Sequence, residues 1–391
     1  MTAITRTSRK TDFFNEVSMT VSFIEGNEAI ARAAVIAGCN FFAGYPITPA
    51  TTIFNTMLKL LPPAGGICMQ GEDEIASIGF CLGASMAGMK AMTATSGPGI
   101  SLYSEQISFA IGSEIPIVIV DVQRLGPSTG SATLGADGDI QFLRWGNSGG
   151  LPVIVLSPTD ITDCFILTIQ AFNLAEKFRC PVFIASSKEI GMTRESIDIR
   201  NLNFPEIESR KTASSANGFQ PFTVHSNTGV PDFLPIGSNI PVRQTSSTHG
   251  PDGYITNDPI VIEMNRIRLA GKLKNISSDH LFYEAHPEQD ATTLIITYGV
   301  TARSARQAQR EEKQSGKPFS LLILKTLWPV PQDLIQEHAR GMEKVIVVEM
   351  NLGQYVREVE RILPNIPVLF LGQMNGSLIS PTQIKEFLNH G

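Results

Sequence analysis

Between Gln70 and Arg124 the chain sets out a carboxylate, a glycine-rich turn and an arginine, each of a type that can take part in acid/base chemistry or ligand binding. Glu74 follows Gln70-Gly71-Glu72-Asp73 and opens a helical pattern rich in small residues, Ile75 to Gly88. A carboxylate held there in an apolar pocket suits remote general acid/base work. The cluster Glu72-Asp73-Glu74 would equally serve to stabilise a helix N-terminus through its dipole. Glycine inside a helix costs about 0.5–1 kcal/mol against alanine, so Gly79 and Gly83 point to close approach by another backbone or a flat ring. Thr95-Ser96-Gly97-Pro98-Gly99 comes twenty-one residues after Glu74, behind a strand pattern and ahead of an apolar helix. Such a turn aims free N–H groups and a positive dipole end at a ligand, or is simply a tight strand-to-helix connection. Gln123-Arg124 ends the third stretch, just past the apolar run Ile115–Val120. Arg124 there offers a planar fork for a carboxylate, or a structural ion pair with Asp121 or Asp139.

These residues need a scaffold that collects them, and the chain supplies a regular alternation. Helical patterns cover Asn27–Gly38, Ala50–Leu61, Ile75–Gly88, Ile100–Gly112 and, behind Thr159 as cap, Asp160–Phe178. Strand patterns cover Asn40–Ala43, Gly66–Gln70, Lys90–Thr95, Ile115–Val120, Pro152–Ser157 and Pro181–Ser186. Alternation of this kind predicts an α/β domain with a doubly wound parallel sheet over residues 24–200. Tyr45-Pro46-Ile47-Thr48-Pro49 follows the first strand, and Thr48 with Pro49 reads as N-cap and first residue of the next helix. Residues 201–290 turn to Ser, Asn, Thr, Gly and Pro with few periodic runs, a texture expected of a linker or a segment wrapped on a neighbour. A second α/β unit occupies residues 291–391. Residues 1–23 carry Arg6, Arg9 and Lys10 without a long apolar core, so they read as a flexible tail and not a secretory signal.

Composition narrows the classes further. Charged residues make up 17% of the 391, below the roughly 25% of an average soluble protein, which leaves little charge to coat an isolated surface and points to burial against other chains. No apolar run reaches the length of a membrane span, and a net charge of −6 without a basic stripe gives nucleic acid no dock. Cys39, Cys68, Cys81, Cys164 and Cys180 show no C-x-x-C spacing, which argues against an iron–sulfur cluster on this chain and suits a reducing, cytoplasmic compartment. All six histidines lie outside residues 24–200, so neither a Ser/His/Asp triad nor a histidine metal site is expected there, and no metal ligand set is assigned to the chain.

Glu74 with its Ala/Gly helix, followed by Thr95-Ser96-Gly97-Pro98-Gly99, resembles the pyrimidine-binding domain of thiamine diphosphate enzymes. Gly44-Tyr45-Pro46-Ile47-Thr48-Pro49, Gln123 to Gly130, Thr248-His249, Lys325-Thr326-Leu327-Trp328-Pro329 and Glu349 to Gln354 resemble, more narrowly, the α subunit of 2-oxoacid:ferredoxin oxidoreductases, the 2-oxoglutarate type above all. The resemblance spans about residues 24 to 391 and implies a thiamine diphosphate pyrimidine-binding domain joined to a transketolase C-terminal-like domain. It implies that Glu74 activates the cofactor beside its aminopyrimidine, that Thr48 and Arg124 hold the substrate carboxylate, and that Tyr45, Pro46, Ile47, Thr95, Ser96, Gly97 and Pro98 contact the cofactor. The diphosphate needs Mg²⁺, and the Gly-Asp-Gly and Asn-Asn pattern that holds it is lacking here at Gly138-Asp139-Ile140. Mg²⁺ and a [4Fe-4S] cluster are therefore expected on a β subunit, in an (αβ)2 assembly that decarboxylates a small 2-oxo acid, passes the acyl group to coenzyme A and hands electrons to ferredoxin.

Substrate choice is less legible. Arg144 or Lys90 would be available for a second carboxylate, and Ser148 stands where the family places the histidine of a Gly-x-His-Gly segment. Two other readings share part of the pattern: the pyrimidine-binding half of a non-oxidative decarboxylase or carboligase, and a non-catalytic assembly subunit.

Overall fold

Apolar runs and amphipathic runs sort themselves into two sheets and their covering helices. The computed structural model describes residues 21–214, 218–225, 227–237, 239–274, 276 and 280–390. The first part of the chain runs β1 (Val21–Glu25), α1 (Gly26–Ile36), β2 (Phe41–Gly44), α2 (Thr51–Leu60), β3 (Ile67–Gln70), α3 (Glu74–Met86), β4 (Ala91–Thr95), α4 (Pro98–Leu102), α5 (Ser104–Gly112) and β5 (Ile117–Gln123). It continues through α6 (Ile140–Trp145), β6 (Ile154–Leu156), α7 (Ile161–Phe178), β7 (Pro181–Ser187), α8 (Lys188–Met192) and β8 (Arg194–Asp198) to α9 (Pro259–Lys272). The rest comprises β9 (Tyr283–His286), β10 (Thr293–Thr297), α10 (Thr301–Gln314), β11 (Ser320–Leu324), β12 (Thr326–Trp328), α11 (Gln332–Ala339), β13 (Lys344–Glu349), α12 (Val356–Ile362), β14 (Val368–Gly372) and α13 (Pro381–His390).

The first sheet has seven strands in the order β12-β6-β7-β5-β4-β2-β3, all parallel except β12. Because side chains alternate along a strand, Val118, Val120 and Val122 of β5 pack with α1, α2 and α7, while Ile117 and Ile119 pack with α3, α5 and α6 on the other face. Helices on both faces make the sheet doubly wound. The chain leaves β2 through α2 to reach β3 at the edge, then crosses to β4 on the other side of β2. The order reverses between β2 and β4, and crevices at such a switch are where open α/β sheets bind ligands. The second sheet, β14-β13-β10-β11-β9, is parallel apart from β9.

Several expectations need correction. The tail ends earlier than residue 23: Val21 to Glu25 pair antiparallel with Arg194 to Asp198, and residues 1–20 lie outside the described residues. Thr48 caps nothing; the Thr48–Pro49 peptide is cis and α2 starts at Thr51 with Ala50 at its N-cap. Asp160, not Thr159, caps α7 by accepting from the Asp163 N–H at 2.8 Å, and the Thr159 hydroxyl donates to Asp163 at 2.6 Å. The helix expected over Ile100–Gly112 is kinked into α4 and α5 at Tyr103, which keeps helical angles. Residues 326–328 leave the second unit and join the first sheet beside β6, with Trp328 buried and its indole N–H donating to Ile140 O.

The described residues of 201–290 pack over the first sheet's helices and add α9 and β9. Arg210 reaches Glu176 at 2.8 Å and Ser85 O at 2.8 Å, and Arg179 donates to Pro231 O at 3.1 Å. The buried Glu114 receives Arg268 at 2.6 Å and Lys272 at 2.9 Å from α9. Burial alone would raise the Glu114 carboxyl, but Lys272, Arg268 and Arg179 hold it down at about 2. Where the units meet, Asp137 accepts from Ser187 Oγ at 3.0 Å, and Ser187 Oγ in turn accepts from the Val300 N–H at 3.1 Å. Asn351 donates to Asp137 O at 2.8 Å, while Tyr298 donates to the buried Glu349 at 2.6 Å.

Candidate active site

Four strands end at the switch, and each delivers part of the expected set. After β2, Tyr45 and Thr48 are exposed while Pro46 and Ile47 are half-buried. Asn27 fixes this loop from α1, donating to Pro49 O at 2.9 Å and Thr52 Oγ1 at 2.8 Å. After β3, Asp73 accepts from the Ala76 N–H at 2.7 Å, so α3 begins at Glu74 itself. Ser77 Oγ donates to Asp73 O at 2.7 Å and leaves no room for a side chain at Gly71, whose Cβ would stand 2.2 Å from that hydroxyl.

After β4 the chain turns through Thr95, Ser96, Gly97, Pro98 and Gly99. Gly97 has φ +45°, a conformation that favours glycine. A Cβ at Gly99 would lie 2.0 Å from Thr95 Oγ1 and 3.1 Å from Glu74 Oε1, so the turn is pressed against the Glu74 carboxylate. Glu74 is 8% exposed. Tyr103, bonded to Thr93 Oγ1 at 2.8 Å, stands behind this contact, and burial together with the Glu74 charge pushes its phenol well up.

After β5, Arg124 is 5% exposed and its Nη1 donates to Thr48 O at 2.5 Å. Its Nε lies 3.3 Å from where a Gly97 Cβ would be and has no partner among the described residues. The ion pair with Asp121 or Asp139 offered as the alternative for Arg124 is replaced by this carbonyl contact, though its charge still lowers the nearby Asp139 carboxyl. Two groupings result: Glu74 with Thr95 and Gly99, and Arg124 with Thr48 and Gly97. The turn 95–99 joins them. Tyr45, Pro46 and Ile47 lie on the loop that carries Thr48.

Lys90 and Arg144 are not brought there. Lys90 precedes β4, at the opposite end of the strand, and its Nζ donates to Ala37 O at 3.0 Å and Glu208 O at 2.6 Å. Arg144 stacks 3.8 Å over the Trp145 ring and donates to Leu151 O at 3.1 Å. Ser148 lies in a groove shared with Leu102, Ser108 and His249, its N–H bonded to Ser108 Oγ at 2.8 Å. What the spacing of motifs missed is a set of carboxylates near the end of β5, Asp121 and Asp137 buried and Asp139 half-buried; its one sign in the sequence was the aspartate inside the apolar strand Ile117–Gln123.

The donor set suits a flat heteroaromatic group with a carboxylate-bearing substrate next to it. The buried Thr95 Oγ1, Ser96 Oγ, Gln123 Nε2 and Arg124 Nε find no partner among the described residues, which leaves polar atoms for a ligand to satisfy. Glu74 can exchange a proton or a hydrogen bond with a ring nitrogen, and Arg124 can hold a carboxylate.

Comparison with known proteins gives the chain a family. Residues 32–265 match the family described as pyruvate flavodoxin/ferredoxin oxidoreductase, thiamine diphosphate-binding, and residues 291–384 match pyruvate:ferredoxin oxidoreductase core domain II. The chain is 40% identical to the 2-oxoglutarate synthase subunit KorA of Methanothermobacter marburgensis, over 93% of this chain and 96% of that protein. It is 38% identical to the subunit of the same name in Methanocaldococcus jannaschii, over 94% and 99%. Among solved structures, the 2-oxoglutarate:ferredoxin oxidoreductase of Magnetococcus marinus, with 2-oxoglutarate, coenzyme A and succinyl-CoA bound, superposes with a TM-score of 0.86 at 31% identity over 95% of this chain. This chain spans 65% of that longer one. A split-gene transketolase superposes with a TM-score of 0.56 at 14% identity, a likeness of fold alone. The chain thus belongs to the 2-oxoacid:ferredoxin oxidoreductases and carries their thiamine diphosphate-binding unit together with their core domain II.

Proposed function

We propose that this chain is the α subunit of a 2-oxoglutarate:ferredoxin oxidoreductase and supplies the pyrimidine half of a thiamine diphosphate site shared with a β subunit. The observation that carries the reading is the placement of Glu74, buried against Gly99 and Thr95, on the same rim as an Arg124 whose Nε is unpartnered. Thiamine diphosphate, when bound, supplies the nucleophilic carbon and the electron sink for decarboxylation. Glu74 holds or moves a proton at the pyrimidine ring nitrogen, and its burial keeps water from competing for that contact. The turn Thr95-Ser96-Gly97-Pro98 and the loop Tyr45-Pro46-Ile47 form the walls against which the ring packs. Arg124, anchored through Nη1 on Thr48 O, presents its remaining edge to the substrate's carboxylate, and the Thr48 hydroxyl adds a second donor.

Mg²⁺, the diphosphate site and the [4Fe-4S] cluster belong to the β subunit in this reading, and ferredoxin accepts the electrons. Coenzyme A takes the acyl group. The β subunit has a face to occupy: Ile75 and Phe80 of α3 are 47% and 44% exposed next to Glu74, and the space outside Gly79 and Gly83 is open to 4 Å. Burial of that stripe completes an (αβ)2 assembly. Five free cysteines suit a cytoplasmic location, and no helix among the described residues is long and apolar enough to cross a membrane.

The test is to isolate the complex anaerobically through a tag on this chain and assay products from 2-oxoglutarate, coenzyme A and oxidised ferredoxin. Succinyl-CoA and CO2 in equal amounts are expected. CO2 with an aldehyde or a carboligation product, and no thioester, would establish a non-oxidative enzyme instead.

A further inference from the structure

β5 is buried along its whole length, yet it carries a carboxylate, Asp121, at 0% exposure, opposite Thr95 of β4 and Ala185 of β7. The Asp121 carboxyl meets that of Asp139, the residue before α6, and neither takes part in the chemistry set out above. Both oxygens of Asp121 and Oδ2 of Asp139 receive no N–H or O–H donor from the described residues. Two ionised carboxylates repel strongly at hydrogen-bonding range in a dry interior. One proton between them removes a charge and supplies the donor that is lacking. Around them Thr95 Oγ1, Ser96 Oγ, Gln123 Nε2 and Arg124 Nε are unpartnered as well, so seven of the thirteen such buried atoms among the described residues gather at the ends of β4 and β5.

The pair reaches both parts of the rim. The Gly97 N–H approaches Asp121 and favours its charged form without completing a well-aligned hydrogen bond. The Asp139 N–H donates to Gln123 Oε1 at 3.0 Å, and its carboxyl feels the Arg124 guanidinium. We propose that Asp121 and Asp139 share one proton and act as a positioning pair, holding the Gly97 turn and Arg124 together and setting how much charge Arg124 presents to the substrate's carboxylate. The inference rests on the role given above to Arg124.

Burial, then the Asp139 charge and hydrogen bond, push Asp121 well above the usual carboxylate range; burial raises Asp139 to about 6 while Asp121 and Arg124 draw it back. Asp121 therefore keeps the proton and Asp139 bears the charge. Besides Arg124, Asp137 in the same loop faces Asp121; Glu189, with its Lys188 partner on α8, and Glu349 on β13 act in turn on Asp137, and Glu74 lies beyond Thr95 and Gly99. Burial raises Asp137 to about 7, so it adds little negative charge below that pH. Below about pH 6 the pair is neutral and Arg124 shows its full charge to an anion. Above it, the Asp139 carboxylate offsets part of that charge.

Steady-state kinetics of the holoenzyme complex from pH 5.5 to 8.5, together with infrared spectra at pH 8.5, test the pair. In the wild type, KM for 2-oxoglutarate should rise at least threefold between pH 5.5 and 7.5. In Asp121→Asn the amide is a weaker donor to Asp139 than the shared proton, so the inflection should move up by at least one pH unit. Asp139→Asn should abolish the rise, and Asp121→Leu, which has nothing to donate, should raise KM at least tenfold. The difference spectrum of wild type minus Asp121→Asn should contain one protonated-carboxyl stretch. Coincident KM profiles in the wild type and both Asn variants, or no such stretch, would overturn the proposal. A complex inactive with every 2-oxo acid would overturn the functional reading instead, and the infrared difference would still decide whether the proton is shared.

Discussion

At the scale of single residues, the proposed site assigns proton transfer to Glu74 and substrate binding to Arg124, and their substitutions should separate accordingly. Glu74→Gln keeps the shape of the side chain but cannot exchange a proton, so turnover should fall by about 10²–10⁴-fold while thiamine diphosphate content and unfolding midpoint stay near wild type. Normal turnover would remove Glu74 from the acid/base role. Arg124→Ala should raise KM for the 2-oxo acid at least tenfold with cofactor content unchanged, and Arg124→Lys should recover only part, because an ammonium lacks the planar fork. Cofactor loss with an unaltered KM would contradict the assignment. Glu74 and the Thr95 to Gly99 turn were legible in the sequence because each is a local motif whose residue types have few other uses together. Asp121 and Asp139 were not, because their meeting depends on β5 and the residue before α6 converging in space, eighteen positions apart in the chain.

At the scale of elements, the helix that carries Glu74 also carries the open stripe proposed as the face for a β subunit. The stripe of Ile75, Gly79, Phe80 and Gly83 on α3 is apolar and open. Phe80→Asp should leave this subunit folded but weaken co-purification of its β partner, read by size-exclusion chromatography; undiminished co-purification would place the interface elsewhere. The α9 helix is tied down by the Glu114, Arg268 and Lys272 network. Removing one member of a buried ion pair strands its partners, so Glu114→Gln should cost about 3–5 kcal/mol of unfolding free energy in denaturant titration and expose α9 to proteolysis. Because its partners hold the Glu114 carboxyl at about 2, below its ordinary 4.5, the stability it contributes is complete above pH 4.5 and is lost as pH falls toward 2. The alternation of strands and helices was plain in the sequence since apolar runs of four to seven residues separate amphipathic ones. Helix starts were less so: the Thr48–Pro49 and Thr159–Asp160 pairs each fit capping chemistry, and only the backbone geometry selects Ala50 and Asp160 as the N-caps.

Across the whole molecule, the two sheets are locked by buried polar contacts through Asp137, Ser187, Asn351, Tyr298 and Glu349, and by β12, which crosses from one unit into the other's sheet. That crossing was invisible in the sequence, since Thr326-Leu327-Trp328 is too short to announce which sheet it joins. The junction should impose its own pH dependence. Burial raises Asp137 to about 7, so the folded state keeps a proton that the unfolded chain gives up near 3.8; the stability this contributes is present below pH 3.8 and is lost as pH rises toward 7. Asp137→Asn does not titrate, and its unfolding free energy relative to wild type should therefore increase by at least about 1 kcal/mol between pH 5 and pH 8. An unchanged difference would show that Asp137 is ionised in the folded state throughout.

The central claim is that this molecule provides half of an oxidative decarboxylation site for a 2-oxo acid with two carboxylates. The direct measurement is dye reduction by the anaerobically purified complex, driven by 2-oxoglutarate, pyruvate and 2-oxoisovalerate in turn, each with and without coenzyme A. The account predicts coenzyme-A-dependent reduction with 2-oxoglutarate at a kcat/KM at least tenfold above the other two acids. Equal or greater efficiency with pyruvate or 2-oxoisovalerate would contradict the substrate, and no reduction by a complex retaining thiamine diphosphate and iron would contradict the reaction.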